Sequence, residues 1–137
     1  MCSSDLITES LGLGNGATIS IKTSQLNLYD GAAIGGRAAG AGTAGDINIQ
    51  ADRILVDGFY RFNPLVSSAL ASASLGSGTS SRIQIKAKQV LVQSGGAISS
   101  SSFGPGRSGD LDLDVEDLRV IGTSPIRSEE RRGGKEC

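Results

Sequence analysis

The sequence predicts an all-β chain wound as a parallel β-helix of about four coils, and three observations carry that expectation. A repeat runs through it: GNGATISIKTSQLNLYDGAAI, GTAGDINIQADRILVDG, GTSSRIQIKAKQVLVQSGGAI and GRSGDLDLDVEDLRVIGTSPI align, with first apolar residues Ile19, Ile47, Ile83 and Leu111 spaced 28, 36 and 28 apart. Within each unit, apolar residues alternate in short β-branched runs bounded by Gly, Ser, Asn or Asp, the period of strands rather than helices. A unit of about 28 residues cannot bury its own apolar face, so it must stack on its neighbours.

The inward columns follow from the alignment. They are Ile19/Ile47/Ile83/Leu111, Ile21/Ile49/Ile85/Leu113, Leu26/Ile54/Val90/Leu118 and Leu28/Val56/Val92/Val120, then Ile34/Leu70/Ile98/Ile126. Each unit thus holds three short strands, each pairing with its equivalent about 4.8 Å away in the next coil. Gly-rich stretches such as GRAAGAGTAG and SSFGPGRSG form the turn to the next coil. From the last column to the next first column the steps 34 to 47, 70 to 83 and 98 to 111 are all thirteen residues; Ile7 to Ile19 is twelve, which assigns Ile7 to the end of a preceding coil. The long interval is the same unit with eight residues added, FYRFNPLV at 59–66, after which the register resumes.

Outward positions should form compatible ladders. Thr18/Asp46/Arg82/Asp110 alternates acid, base and acid, Lys86 falls beside Asp114, and Ser20/Asn48/Gln84/Asp112 sets an Asn beside a Gln. A disordered Gly/Ser linker predicts no such coincidence of position. An excised set of coils would expose its end faces as unpaired sheet edges.

Both ends of the chain break the pattern. RSEER can be encoded by AGATCGGAAGAGCG and CSSDL by TGCTCTTCCGATCT, and the string AGATCGGAAGAGC is the reverse complement of GCTCTTCCGATCT, which looks like a short-read sequencing adapter. The adapter read in the same frame gives RSEERRVGKEC, from which this chain departs only at Gly133. Residues 1–6 and 127–137 are therefore read as adapter-derived, leaving 7–126 as the repeat region. The repeat ends at Ile126, so the two readings place one boundary independently. Cys2 and Cys137, the only cysteines, fall within the adapter segments and are not read as a disulfide, metal pair or nucleophile.

Composition narrows the function classes. Of 137 residues 38% are hydrophobic, Gly numbers 20, and Trp and His are absent. A net charge of −1 with scattered bases gives no electrostatic case for nucleic acid. No apolar run approaches the roughly 20 residues of a membrane span. No Walker loop or dinucleotide fingerprint is present. Without His or a native Cys, the usual nucleophile/base pairs are lacking, so no enzyme activity, catalytic residue, cofactor or metal is expected.

The motif G-x-x-G-D/N-I-x-I followed by L-x-L-x-D/S-G-A-x-I, here GTAGDINIQADRILVDG and LNLYDGAAIGG, resembles the repeats of filamentous-haemagglutinin-type exoproteins exported by two-partner secretion in Gram-negative bacteria. The resemblance covers nearly all of 7–126. It implies a right-handed β-helix, part of a long secreted or surface-bound shaft used in adhesion or cell contact. It implies, as partners, neighbouring coils of a longer parent chain, host-cell or surface glycans and proteins, and an outer-membrane secretion partner. The family's N-terminal secretion domain is not among these residues.

Three groups of residues invite a functional reading. The insertion gathers Phe59, Tyr60, Arg61 and Phe62, a contact patch of the kind placed on loops of rigid scaffolds; the competing expectation is that it folds down over apolar β-helix surface. Asp110, Asp112 and Asp114, with Glu116 and Asp117 following, could hold a hard cation such as calcium, but a solvated acidic face partly paired with Arg82 and Lys86 is expected instead. Polysaccharide lyases and hydrolases on the β-helix fold use Asp, Lys or Arg on one strand face, and Arg82, Lys86, Asp110 and Asp112 are the residues here that an enzyme would use.

Overall fold

The structure, a computed structural model, describes residues 5–63, 65–121 and 126–130. Among these residues it is all strand and turn. The order is β1 (Asp5–Ser10), β2 (Ile19–Tyr29), β3 (Ala33–Ala38), β4 (Ile47–Asp57), β5 (Ala69–Ser74), β6 (Ile83–Gln93), β7 (Ala97–Ser102), β8 (Leu111–Ile121) and β9 (Ile126–Glu130). Short strands form one parallel sheet, β1-β3-β5-β7-β9, and long strands a second, β2-β4-β6-β8. Each strand pairs with its equivalent one coil on, which is a parallel β-solenoid.

Pairing follows the predicted columns. Ile19, Ile47, Ile83 and Leu111 lie in one row, as do Leu26, Ile54, Val90 and Leu118, while Ile34, Leu70, Ile98 and Ile126 align in the short sheet. Ile47, Ile54, Val56, Leu70, Ile83, Ile85, Val90, Val92 and Ile98 are all but inaccessible to solvent. Full burial of such a side chain stabilises by about 1.5–3 kcal/mol, so the two middle coils hold most of the core.

The first two of the three expected strands are one strand of eleven residues with a corner in it. In β4 the inward residues are 47, 49 and 51 and then 54 and 56, with Asp52 and Arg53 both outward. β6 repeats this at Lys88 and Gln89. A period-two strand that shows two consecutive residues to solvent keeps both halves on the core only if it bends there. Pairing lapses at that point in every coil, at Ser24, Asp52, Lys88 and Glu116. Ala51 and Ala87, both buried, fill the inside of the corner.

The third side of the coil is lined by serine rather than by further apolar residues. Inward from Ile98 come Ser100 and Ser102, and from Leu70 come Ser72 and Ser74, all four buried. They serve the turn backbone. The Ser74 hydroxyl donates to the Gly78 carbonyl, Ser102 to Gly106 (2.5 Å) and Ser10 to Gly14, the same four-residue step in three coils. Ser81 N–H donates to Ser72 Oγ at 2.5 Å, and Ser80 and Ser100 hydroxyls lie 3.0 Å apart. Most of these buried hydroxyls answer a turn group that water cannot reach, whereas those of Thr8 and Ser81 have no hydrogen-bond partner among the described residues. These turns pack backbone to backbone: a Cβ on Gly42, Gly78 or Gly106 would lie 2.0, 1.9 or 1.9 Å from the carbonyl oxygen one coil below.

Ile7 lies in β1, at the end of the preceding coil as expected, but the residue opposite Ile34 is Leu6; Ile7 faces Gly35 and is 57% exposed. Leu6 stands thirteen residues before Ile19, the step every other coil uses, whereas Ile7 is one short. β1 and β9 carry the pairing through Asp5, Leu6 and residues 127–130 of the two terminal segments; the rest of those segments, with Cys2 and Cys137, lies outside the described residues.

One packing pair tests the stacking register directly. A Cβ at Gly36 would sit 1.7 Å from the Ser81 hydroxyl oxygen, and Ser81 is fully buried. Gly36→Ala should cost about 1–3 kcal/mol through overpacking. Adding Ser81→Gly should recover part of that loss, so that the denaturant midpoints of the two single variants and the double variant reveal favourable coupling. Strict additivity would place the two residues apart.

Candidate interaction site on the inserted loop

Between β2 and β3, and between β6 and β7, three residues join the long strand to the short one. Asp30-Gly31 and Ser94-Gly95 take positive φ (59° and 83°, 55° and 90°) and the turns close with Ala32 N–H to Tyr29 O and Gly96 N–H to Gln93 O. Glycine meets the second position at no steric cost. In the coil between them that connection runs from Gly58 to Ser68, so the added residues leave the solenoid at the one point where adjacent coils have only a tight turn.

The loop is held by its own backbone. Phe59 and Ser67 form an antiparallel bridge. Tyr60 N–H donates to Val66 O (2.7 Å), Asn63 N–H to Tyr60 O (2.9 Å) and Val66 N–H to Asn63 O (3.0 Å). Its base is anchored by Ser68, which is wholly buried and whose hydroxyl accepts from Gly31 N–H at 2.9 Å.

The four predicted contact residues divide between two roles. Phe59 lies over Gly95 and Tyr60 over Gly31, where an added Cβ would come within 2.9 Å and 2.7 Å of them. Arg61 reaches back to Asp30, with Nε and Nη2 3.4 and 3.3 Å from the carboxylate oxygens. Three residues therefore clamp the loop to the turns of the coils on either side. Phe62 projects instead, 79% exposed, its ring edge-on to Tyr60 at 5.5 Å between centroids. Leu65, not singled out in the sequence, is 92% exposed. The two competing expectations for the insertion hold for different residues: its root packs down and its tip stands out.

A second apolar line went unread in the sequence. Leu11, Leu75 and Phe103 occupy equivalent first positions of the long turns and are all exposed, with Leu75 N–H and Phe103 N–H bonded to Ala38 O and Ser74 O of the coils below. The signal was available in the constant length of those turns.

The charged face resolves into pairs. Lys86 stands opposite Asp114 in register as expected, but the close ion pair is diagonal. Arg82 bonds Asp112 through Nε and Nη2 at 3.0 and 2.6 Å rather than its column neighbour Asp110. Asp117 pairs with Arg119 at 3.3 Å and Asp52 with Lys88 at 4.0 Å. Among the described residues no three acidic, His or Cys side chains converge on one point. Of the residues an enzyme would use, Arg82 and Asp112 are bound to each other, each about half exposed. An open trough lies along this side of the solenoid, lined by outward residues including Ser20, Lys22, Asn48, Gln50, Gln84 and Lys86.

The Arg82 hydrogen bond holds the Asp112 carboxyl below its ordinary range, with Gln84 adding in the same direction, and the same bond raises the Arg82 guanidinium. A carboxylate that titrates lower folded than unfolded stabilises the fold above the ordinary carboxylate pKa, and that contribution disappears as pH falls through the lowered value. Solvent screening keeps it small. Thermal melts across the acid range should therefore show wild type above Asp112→Asn near neutrality, the gap closing on acidification; a gap that widens toward low pH contradicts the pairing.

Comparison of the chain with protein-family models, with curated proteins and with solved structures found no match.

Proposed function

We propose that this chain is a length of shaft from a secreted, surface-exposed adhesin-like exoprotein, and that its work is display and contact. The observation that carries the reading is the contrast between core and insertion. Four coils keep one register through every inward column of the long-strand sheet, while the described residues of the insertion lie outside it and raise Phe62 and Leu65 into solvent. A rigid solenoid holding an apolar tip at a fixed height suits adhesion better than chemistry, because exposed aromatic and aliphatic anchors on a preorganised support lose little entropy on binding. Export by two-partner secretion and residence on the surface of a Gram-negative bacterium rest on the resemblance of the repeat motif.

The test is binding of the labelled chain to intact host cells and to immobilised surface glycans and glycoproteins. Saturable binding that drops about tenfold or more in the Phe62→Ser, Leu65→Ser double variant is the expected result. Binding that is absent, or that survives this change in a chain with unaltered circular dichroism, removes the insertion from the contact.

A further inference from the structure

The projecting part of the inserted loop is apolar, electrically neutral and bonded within itself, and we infer that it partitions into the surface of a zwitterionic lipid bilayer, with Phe62 and Leu65 entering the boundary between headgroups and acyl chains. The inference rests on the reading of the insertion as the point of contact, and it names the partner. Phe62 and Leu65 are the most exposed of the insertion's described apolar side chains. They stand on a loop fixed at its root to the coils on either side by Phe59, Tyr60 and Arg61, so little order has to be gained on binding.

Polar groups decide what such a tip can enter, because an N–H or C=O without a partner is costly away from water. Four N–H groups of the loop are bonded inside it: Tyr60 to Val66 O, Asn63 to Tyr60 O, Val66 to Asn63 O, and Leu65 to the Asn63 side-chain oxygen at 3.1 Å. The carboxamide oxygen of Asn63, between the two projecting residues in sequence, is thus taken up by the loop's own backbone. Arg61, the one charged residue of FYRFNPLV, is tied by two hydrogen bonds to Asp30 at the loop's root.

Shape and area disfavour the other occupants. Small molecules are held in concave sites, whereas Phe62 and Leu65 project. A stable protein interface takes about 800 Å² from each side, and one large aromatic side chain supplies about 150–250 Å², so two apolar residues fall well short. A bilayer demands no complementary surface, since apolar area leaves water wherever the tip enters. The ion pair selects the lipid. With Arg61 held by Asp30 and a chain net charge of −1, nothing draws the tip toward anionic headgroups.

The chain contains no Trp, so Phe62→Trp in the full chain is a single fluorescent reporter of the tip. Anchoring by so few carbons is weak and reversible, which calls for phosphatidylcholine vesicles at millimolar lipid. The emission should shift to shorter wavelength and be quenched by bromine on the acyl chains. Leu65→Ser in the same background should weaken partitioning about tenfold or more with unchanged circular dichroism, and Phe103→Trp, exposed on a turn elsewhere, should show no shift. Emission of the Phe62→Trp chain that ignores the vesicles, a response only to vesicles containing phosphatidylserine, or an equal shift from Phe103→Trp would each overturn the inference. A chain that binds cells through Phe62 and Leu65 yet ignores vesicles overturns the lipid partner alone; one that binds neither overturns the contact reading as well.

Discussion

Every strand in this chain takes its hydrogen-bond partner from the equivalent place one coil away, 28 or 36 residues along the sequence, and the rest of the structure answers to that constraint. A one-residue slip in any coil would turn its inward isoleucines to solvent and its acids to the core. The turns therefore keep a fixed length from short strand to long strand, and their glycines pack so closely on the coil below that a methyl group would strike a carbonyl oxygen. Length can change only where the chain leaves the stack, between the long strand and the short one, which is where the eight extra residues lie.

The same constraint explains an interior that is only partly apolar. Two sides of each coil bury Ile, Val and Leu columns. On the third side the glycine-rich turn brings carbonyl and N–H groups inward where water is excluded, and serines at alternate positions satisfy them. An apolar side chain in place of Ser74 or Ser102 would leave the turn carbonyls of Gly78 and Gly106 without the hydroxyls that now bond them. The chain builds a solenoid with few aromatic residues because stacked aliphatic columns and a hydroxyl seam replace a thick central core. The aromatic side chains are then free for the surface, three of them in the inserted loop.

Residues such as Ile47, Ile83 and Leu70 made the stack legible in the sequence, because a column of β-branched or aliphatic residues at fixed spacing has few other physical causes. The inward serines were not legible: Ser72 and Ser100 look like loop residues, and only the position of the turn backbone shows what they bond. Nor was the corner at Asp52–Arg53, since two adjacent polar residues read equally well as a break between strands. Within β1 the residue that continues the Ile34 column is Leu6, at the same thirteen-residue step as the other coils, and its neighbour Ile7 faces Gly35. On the surface the insertion was found by composition, but the division between the clamping Phe59, Tyr60 and Arg61 and the projecting Phe62 and Leu65 depends on Gly31, Gly95 and Asp30, which lie in turns of other coils. The diagonal Arg82–Asp112 pair escaped column reasoning because a long side chain need not bond its nearest neighbour.

The central claim is that equivalent positions stack one strand apart, and a distance measures it. In a Cys2→Ser, Cys137→Ser background, spin labels at Lys22 and Lys86 should couple at a separation of about 10 Å, two strand spacings, broadened by the label arms. A wide distribution centred at tens of ångströms, as an unfolded chain of this length gives at about 30 Å or more, would contradict the solenoid and everything argued from its register.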